Sequence, residues 1–167
     1  MEFDYENAVK WFDTYFEDVN RNQGLLETIP NLKKYFASDF EFMMYTAPDF
    51  VKPRLSREEF LMLFLHPGLH EKFTSQYYVV DVKRMIVVVQ FEIQFTYKPS
   101  GKVWPALQAS AHYHLILDEN KDLKIRKIQY WTESGPLEDS ESLFNVWNGS
   151  KDRALMEHAI EYINTNQ

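Results

Sequence analysis

The chain has no cysteine. Disulfides, thiolate metal sites and cysteine nucleophiles are therefore excluded, and a reducing, cytoplasmic setting is expected. It also lacks a basic cluster: 18 Lys and Arg stand against 25 Asp and Glu, for a net charge of −7. A nucleic-acid partner needs such a cluster, so none is expected. No stretch approaches the roughly 18 apolar residues of a membrane span, so no membrane partner is expected either. The opening Met1-Glu2-Phe3-Asp4-Tyr5-Glu6 has neither the positive flank nor the apolar run of a secretory leader. Without a leader, the glycosylation-type triplet Asn148-Gly149-Ser150 reads as an accidental match. Internal repeats, low-complexity tracts and linkers are missing too.

Aromatic residues are abundant: 13 Phe, 10 Tyr and 4 Trp among 167 residues. They fit two readings, bulky filler for a curved sheet or the lining of a ligand cavity. The length suits one domain, which can bury about two-thirds of its unfolded surface without staples.

The order of elements comes from periodicity. Val9, Phe12, Phe16 and Val19 lie at helical spacing, with Trp11 and Tyr15 beside them. Pro30 is placed to start a short second helix through Phe36. A short strand is expected from Asp39 to Tyr45, closed by Ala47-Pro48. Ser56-Arg57-Glu58-Glu59 is a capping box that opens a third helix, which His66-Pro67-Gly68 ends.

The pattern then changes to period two. Strands are expected over 76–82, 85–97, 103–117 and 123–132, with turns between them. Thirteen extended residues span roughly 40 Å, and strands that long twist, coil and carry bulges. Two short helices follow, one marked by Leu143, Val146 and Trp147, the other capped by Ser150 with Leu155, Ala159, Tyr162 and Ile163 on one stripe. The expected fold is α+β: helices over one face of a long, curved antiparallel sheet, as a domain over 1–135 with a C-terminal helical extension over 136–167.

Alternation assigns the faces. Val87, Val89, Phe91, Ile93, Phe95 and Tyr97 share one face of their strand; Gln90, Glu92, Gln94 and Thr96 share the other. Leu107, Ala109, Ala111, Tyr113, Leu115 and Leu117 face one way on the next strand, and Gln108, Ser110, His112 and His114 the other. Such a sheet packs helices on one side and meets water, or a polar subunit interface, on the other. Ala109 and Ala111 leave room, either as a cavity floor or for close approach of a helix.

Tyr35-Phe36-Ala37-Ser38-Asp39-Phe40 is similar to an entry into the first strand of the nuclear transport factor 2-like, SnoaL-like superfamily. Leu115-Ile116-Leu117-Asp118-Glu119 followed by Ile128-Gln129-Tyr130-Trp131-Thr132-Glu133 resembles the last hairpin of its ketosteroid isomerases. The resemblance implies a cone-like sheet with helices on its concave face and, commonly, a homodimer. It places Met44 where the isomerases keep a catalytic aspartate, and methionine cannot move a proton. It places Tyr113 at an oxyanion-donor position, Tyr15 as the counterpart of a donor tyrosine on the first helix, and Trp131 as a pocket tryptophan. Thr132-Glu133 lie where SnoaL-like cyclases keep an acid/base aspartate.

Three readings follow. The first is a small-molecule binding protein whose cavity is lined by Phe42, Met44, Phe91, Ile93, Phe95, Tyr113 and Trp131, with Tyr15, Tyr113 and Gln129 as polar anchors. Its ligand would be compact, largely apolar and oxygen-bearing. Gln129 shares the face of Trp131, as does Lys127 unless a bulge intervenes. The second is a lyase or isomerase (dehydratase, cyclase or ketosteroid isomerase-like) whose relocated acid/base is His66, Asp13 or Glu133, acting with Tyr113 or Tyr15. The third is a structural homodimer through the polar sheet face of Gln90, Glu92, Gln94, His112 and His114. A metal at His112 and His114 would need a third ligand, for which Glu92 is the one cross-strand candidate, and the polar-face role is preferred. His66 and His70 flank Pro67-Gly68 and read as a loop, a candidate lid. No cofactor is expected: phosphate-loop, nucleophile-elbow and zinc signatures are missing.

Overall fold

The computed structural model describes residues 3–22, 24–45, 53–65, 68–133, 161–162 and 165. The chain runs α1 (Tyr5–Arg21), a 3₁₀ turn (Leu26–Thr28), α2 (Ile29–Lys33), β1 (Phe36–Met44), β2 (Arg54–Ser56) and α3 (Arg57–Met62). It continues β3 (Leu69–Asp81), β4 (Ile86–Tyr97), β5 (Lys102–Val103), β6 (Leu107–Leu117) and β7 (Leu123–Thr132). The strands form one curved, unclosed sheet in the order β2-β1-β7-β6-β4-β3, with β5 paired to β4. This is the expected α+β arrangement, with one refinement: β1 runs parallel to β7.

Local chemistry explains the helices. Asp4 caps α1 by accepting the Asn7 N–H at 2.8 Å, and Ala8, Phe12, Tyr15, Phe16 and Val19 form its buried stripe. The Ser56 capping box is present: Ser56 Oγ accepts the Glu59 N–H and Glu59 Oε2 accepts the Ser56 N–H. Asn20 ties α1 to the edge strand β3. Its Nδ2 donates to the Phe73 carbonyl at 2.9 Å and its Oδ1 accepts the Phe73 N–H at 2.7 Å, so free edge groups are satisfied there.

Several details differ from expectation. The second helix ends at Lys33, not Phe36, and β1 begins at Phe36, not Asp39, while β2 was not expected. β3 begins at Leu69, not Gln76, so His70 is a strand residue paired with Thr96 and not part of a loop; His66 lies outside the described residues. The expected strand over 103–117 is broken at Trp104-Pro105-Ala106, because proline has no N–H for the ladder; only Lys102–Val103 and Leu107–Leu117 pair. β7 has its expected length but carries a register shift: His114 pairs with Lys127, while Leu115 pairs with Ile125. The extra residue, Arg126, is a bulge. The C-terminal extension lies outside the described residues apart from Glu161, Tyr162 and Thr165, all three of them helical.

The core sits between α1, α3 and the inner sheet face. Val87, Val89, Phe91 and Ile93 of β4 and Ala109, Ala111, Tyr113 and Leu115 of β6 are all buried, as alternation requires.

Candidate functional site on the inner sheet face

The inner face is walled by rings. Phe91, 1% exposed, lies 5.7 Å from Phe16, 5.9 Å from Phe73 and 6.2 Å from Tyr130, centroid to centroid. Phe42 contributes from β1, 4.7 Å from Phe60 and 5.8 Å from Tyr130. Tyr113 points inward, as expected, and packs under α1 at 4.8 Å from Phe12 and 6.1 Å from Tyr15. Around Tyr113 the contact between α1 and the sheet is therefore close.

Toward the far end of the face the packing loosens. Met44, Phe95, Tyr130 and Glu71 are half-buried there, whereas Phe42, Phe91, Ile93 and Tyr113 are buried. Tyr130 pairs with Ala111 on one side and Met44 on the other. The small Ala111 thus stands beside the tyrosine ring. Glu71 shares the inner face by two independent signs: it alternates with inward Phe73 and pairs with Phe95.

The bulge decides which residues of β7 belong here. It shifts the alternation by one, so Ile128 and Tyr130 face inward while Gln129 and Trp131 face outward. The expected cavity roles of Gln129 and Trp131 are therefore corrected. Gln129 Nε2 donates to the Tyr45 hydroxyl at 2.8 Å, and its Oε1 sits 2.8 Å from His114 Nε2, which in this orientation carries the proton. Trp131 stacks on Tyr45 at 4.7 Å and 7°, and touches His112 at 4.8 Å. Both residues have joined the outer patch of His112 and His114. Burial, then the charge of His114, holds the His112 pKa below the usual histidine range.

The other acid/base candidates fall elsewhere. Asp13 is exposed on α1 and accepts the Tyr78 hydroxyl at 2.6 Å. Glu133 is exposed beyond β7 and accepts the Gln108 N–H at 2.9 Å. Two residues that the sequence reading passed over, Glu71 and Tyr130, are the acid and the phenol that share the half-buried end. A strand begun at Leu69 and a bulge placed at Arg126 would have found both.

The phenols are donors at neutral pH. Burial, then Tyr35, raises the pKa of Tyr15; burial, then the neighbouring tyrosines, raises that of Tyr113. Burial also raises that of Tyr130, with the Glu71 carboxylate adding to the rise and a Thr132 hydrogen bond opposing it. Among the described residues no group of three His, Asp or Glu is placed to hold a metal ion, and no helix is long and apolar enough to cross a membrane.

The curved, unclosed mixed sheet with helices packed on it is the fold of solved nuclear transport factor 2-like structures. PrhC from Penicillium brasilianum NBRC 6234 superposes with a TM-score of 0.63 at 12% identity, over 96% of this chain and 95% of that one. A Shewanella putrefaciens CN-32 protein described as a SnoaL-like polyketide cyclase gives 0.57 at 12%, over 85% and 96%. Nuclear transport factor 2 from Cryptosporidium parvum gives 0.53 at 11%, over 74% and 90%. No family model and no curated protein matches the sequence. At such identities the likeness is one of fold.

Proposed function

We propose that the chain binds a compact, largely apolar, oxygen-bearing molecule at the Met44, Phe95, Tyr130 and Glu71 end of the inner face. The observation that carries this is that Met44, Phe95, Tyr130 and Glu71 keep partial exposure on a face that is otherwise closed at Tyr113, Phe91 and Ala111. Aromatic walls supply affinity for carbon surface, and a buried phenol supplies a directed donor for an oxygen. Calorimetric titration with 1-indanone and 2-naphthol tests it. Saturable one-to-one binding that weakens in Phe95→Ala and Tyr130→Ala is the expected result. Absence of binding by any such probe at millimolar concentration contradicts it.

One observation favours a second reading, a lyase or isomerase. Met44 cannot act as a base, but Glu71 is a carboxylate on the same inner face as Tyr130. Glu71 would take a proton beside a carbonyl whose oxygen accepts a hydrogen bond from Tyr130, then return it. Exchange of α-protons of 1-indanone in heavy water, followed by NMR, supports this reading if Glu71→Gln abolishes it. An unchanged rate in that variant removes Glu71 from the role.

The outer patch is proposed as a homodimer surface. Gln90, Glu92, Gln94, His112 and His114 are joined there by Gln129, Trp131 and Tyr45, which give it an aromatic centre with a polar surround. Sedimentation at micromolar concentration tests it, and a monomer contradicts it. A cytoplasmic setting agrees with the absence of cysteine.

A further inference from the structure

A hollow lies where β1 begins, at the end of that strand opposite Met44. It measures about 730 Å³. Lys33, Lys34, Arg57 and Lys124 line it together with Phe36 and Ser38, and among the described residues no carboxylate does. Four cations around one concavity are unexpected in a chain of net charge −7.

These cations are held in place. Arg57 binds one oxygen of Glu58 through Nε and Nη2, both at 2.9 Å, which leaves the Nη1 edge for another acceptor. Lys124 Nζ donates to the Lys34 carbonyl at 2.8 Å and lies 3.7 Å from Asp118. Lys34 pairs with Asp18 at 2.8 Å. The side chains of Arg57 and Lys124 are only 19% and 20% exposed, so both charges are sheltered from full hydration. Lys33 adds a third sheltered charge. Burial, then repulsion from Arg57, lowers its pKa, and the Glu58 carboxylate opposes the shift. Preorganised, partly desolvated cations favour an anion, because the cost of ordering them has been met by folding.

We propose that this hollow binds a small, multiply charged oxyanion, its charged group on Arg57, Lys33 and Lys124 and any carbon portion on the Phe36 ring. Phosphate and carboxylate ligands share this chemistry. The inference is independent of the ligand proposed for the inner face.

Calorimetric titration of the full chain with inorganic pyrophosphate and, separately, with citrate tests it at fixed ionic strength. One-to-one binding of at least one of them below millimolar Kd is expected, and the tighter of the two identifies the preferred group. Arg57→Gln should weaken binding about tenfold or more, as loss of a charge-assisted contact does. Ser38 is exposed on β1. Ser38→Asp puts a carboxylate into the lining and should weaken binding similarly, even if Arg57→Gln disturbs the start of α3. Lys83→Gln, in the turn between β3 and β4, should change nothing. Absence of binding by both anions overturns the proposal. So does equal weakening in Lys83→Gln, which would indicate bulk electrostatics alone.

Discussion

Truncating Tyr130 and truncating Trp131 should have unlike effects, although the two are adjacent and the tryptophan is larger. Tyr130 faces inward, half-buried, with its ring against Phe42 and Phe91. A fully buried aromatic replaced by alanine costs about 3–5 kcal/mol, so a half-buried one should cost about 2.5 kcal/mol. Trp131 lies on the outer face against Tyr45, itself 50% exposed, and His112. Aromatic pairs there add about 1 kcal/mol. For a chain of this size 1 kcal/mol shifts Tm by about 3 °C. Tyr130→Ala should therefore lower Tm by about 8 °C and Trp131→Ala by about 3 °C, measured by circular dichroism in dilute solution. If the outer patch mediates self-association, the loss in Trp131→Ala should also grow with protein concentration, because association stabilises the wild type alone. A larger dilute-solution loss for Trp131→Ala than for Tyr130→Ala would refute the bulge at Arg126 and the face assignment built on it.

Other outcomes follow from the same geometry. Tyr35 and Tyr78 donate to Asp18 and Asp13, each at 2.6 Å, so Tyr35→Phe and Tyr78→Phe should each lose about 1 kcal/mol by urea denaturation. Ser56→Ala should lower stability by about 1 kcal/mol through loss of the capping box, and Ser56→Thr should retain most of it. The His112 pKa is held below its unfolded value. The unfolded chain therefore takes up a proton first as pH falls, and the contribution of His112 to stability is full above about pH 6.5 and lost below it. Melting curves from pH 8 to 5 should show this decline, reduced in His112→Gln.

Much of the fold was legible in the sequence because two of its signals are local. The capping box of Ser56 and Glu59 and the period-two alternation of Val87 to Ile93 depend on neighbours in the chain, and both appear as read. What was not legible depends on pairing. Residues 69–75 alternate weakly because β3 is an edge strand, whose outward positions Lys72 and Thr74 are exposed; its early start is set by its pairing with β4. The parallel pairing of β1 with β7 joins residues more than eighty positions apart.

The candidate site was half legible for the same reason. Tyr113 and Phe91 lie in the unbroken register of β4 with β6, and alternation places them inward; Phe42 follows the register shift between Phe36 and Glu41 in β1, and is buried all the same. Gln129 and Trp131 lie beyond the bulge, where one extra residue reverses inside and outside. Arg126 carries no composition signal of a bulge such as glycine, and its guanidinium is engaged on the surface by Asp39 at 2.9 Å. The resemblance carried Trp131 into the pocket by position alone, and the strand register returns Tyr130 in its place.

The most direct test of ligand binding is fluorine NMR of the full chain labelled with 3-fluorotyrosine and titrated with 1-indanone. Resonances assigned by single Tyr→Phe variants separate Tyr130, on the inner face, from Tyr45 and Tyr77, which are 50% and 56% exposed. A saturable shift of the Tyr130 resonance, with Tyr45 and Tyr77 unmoved, is the predicted result. A shift confined to Tyr45 or Tyr77 would contradict a binding site on the inner face.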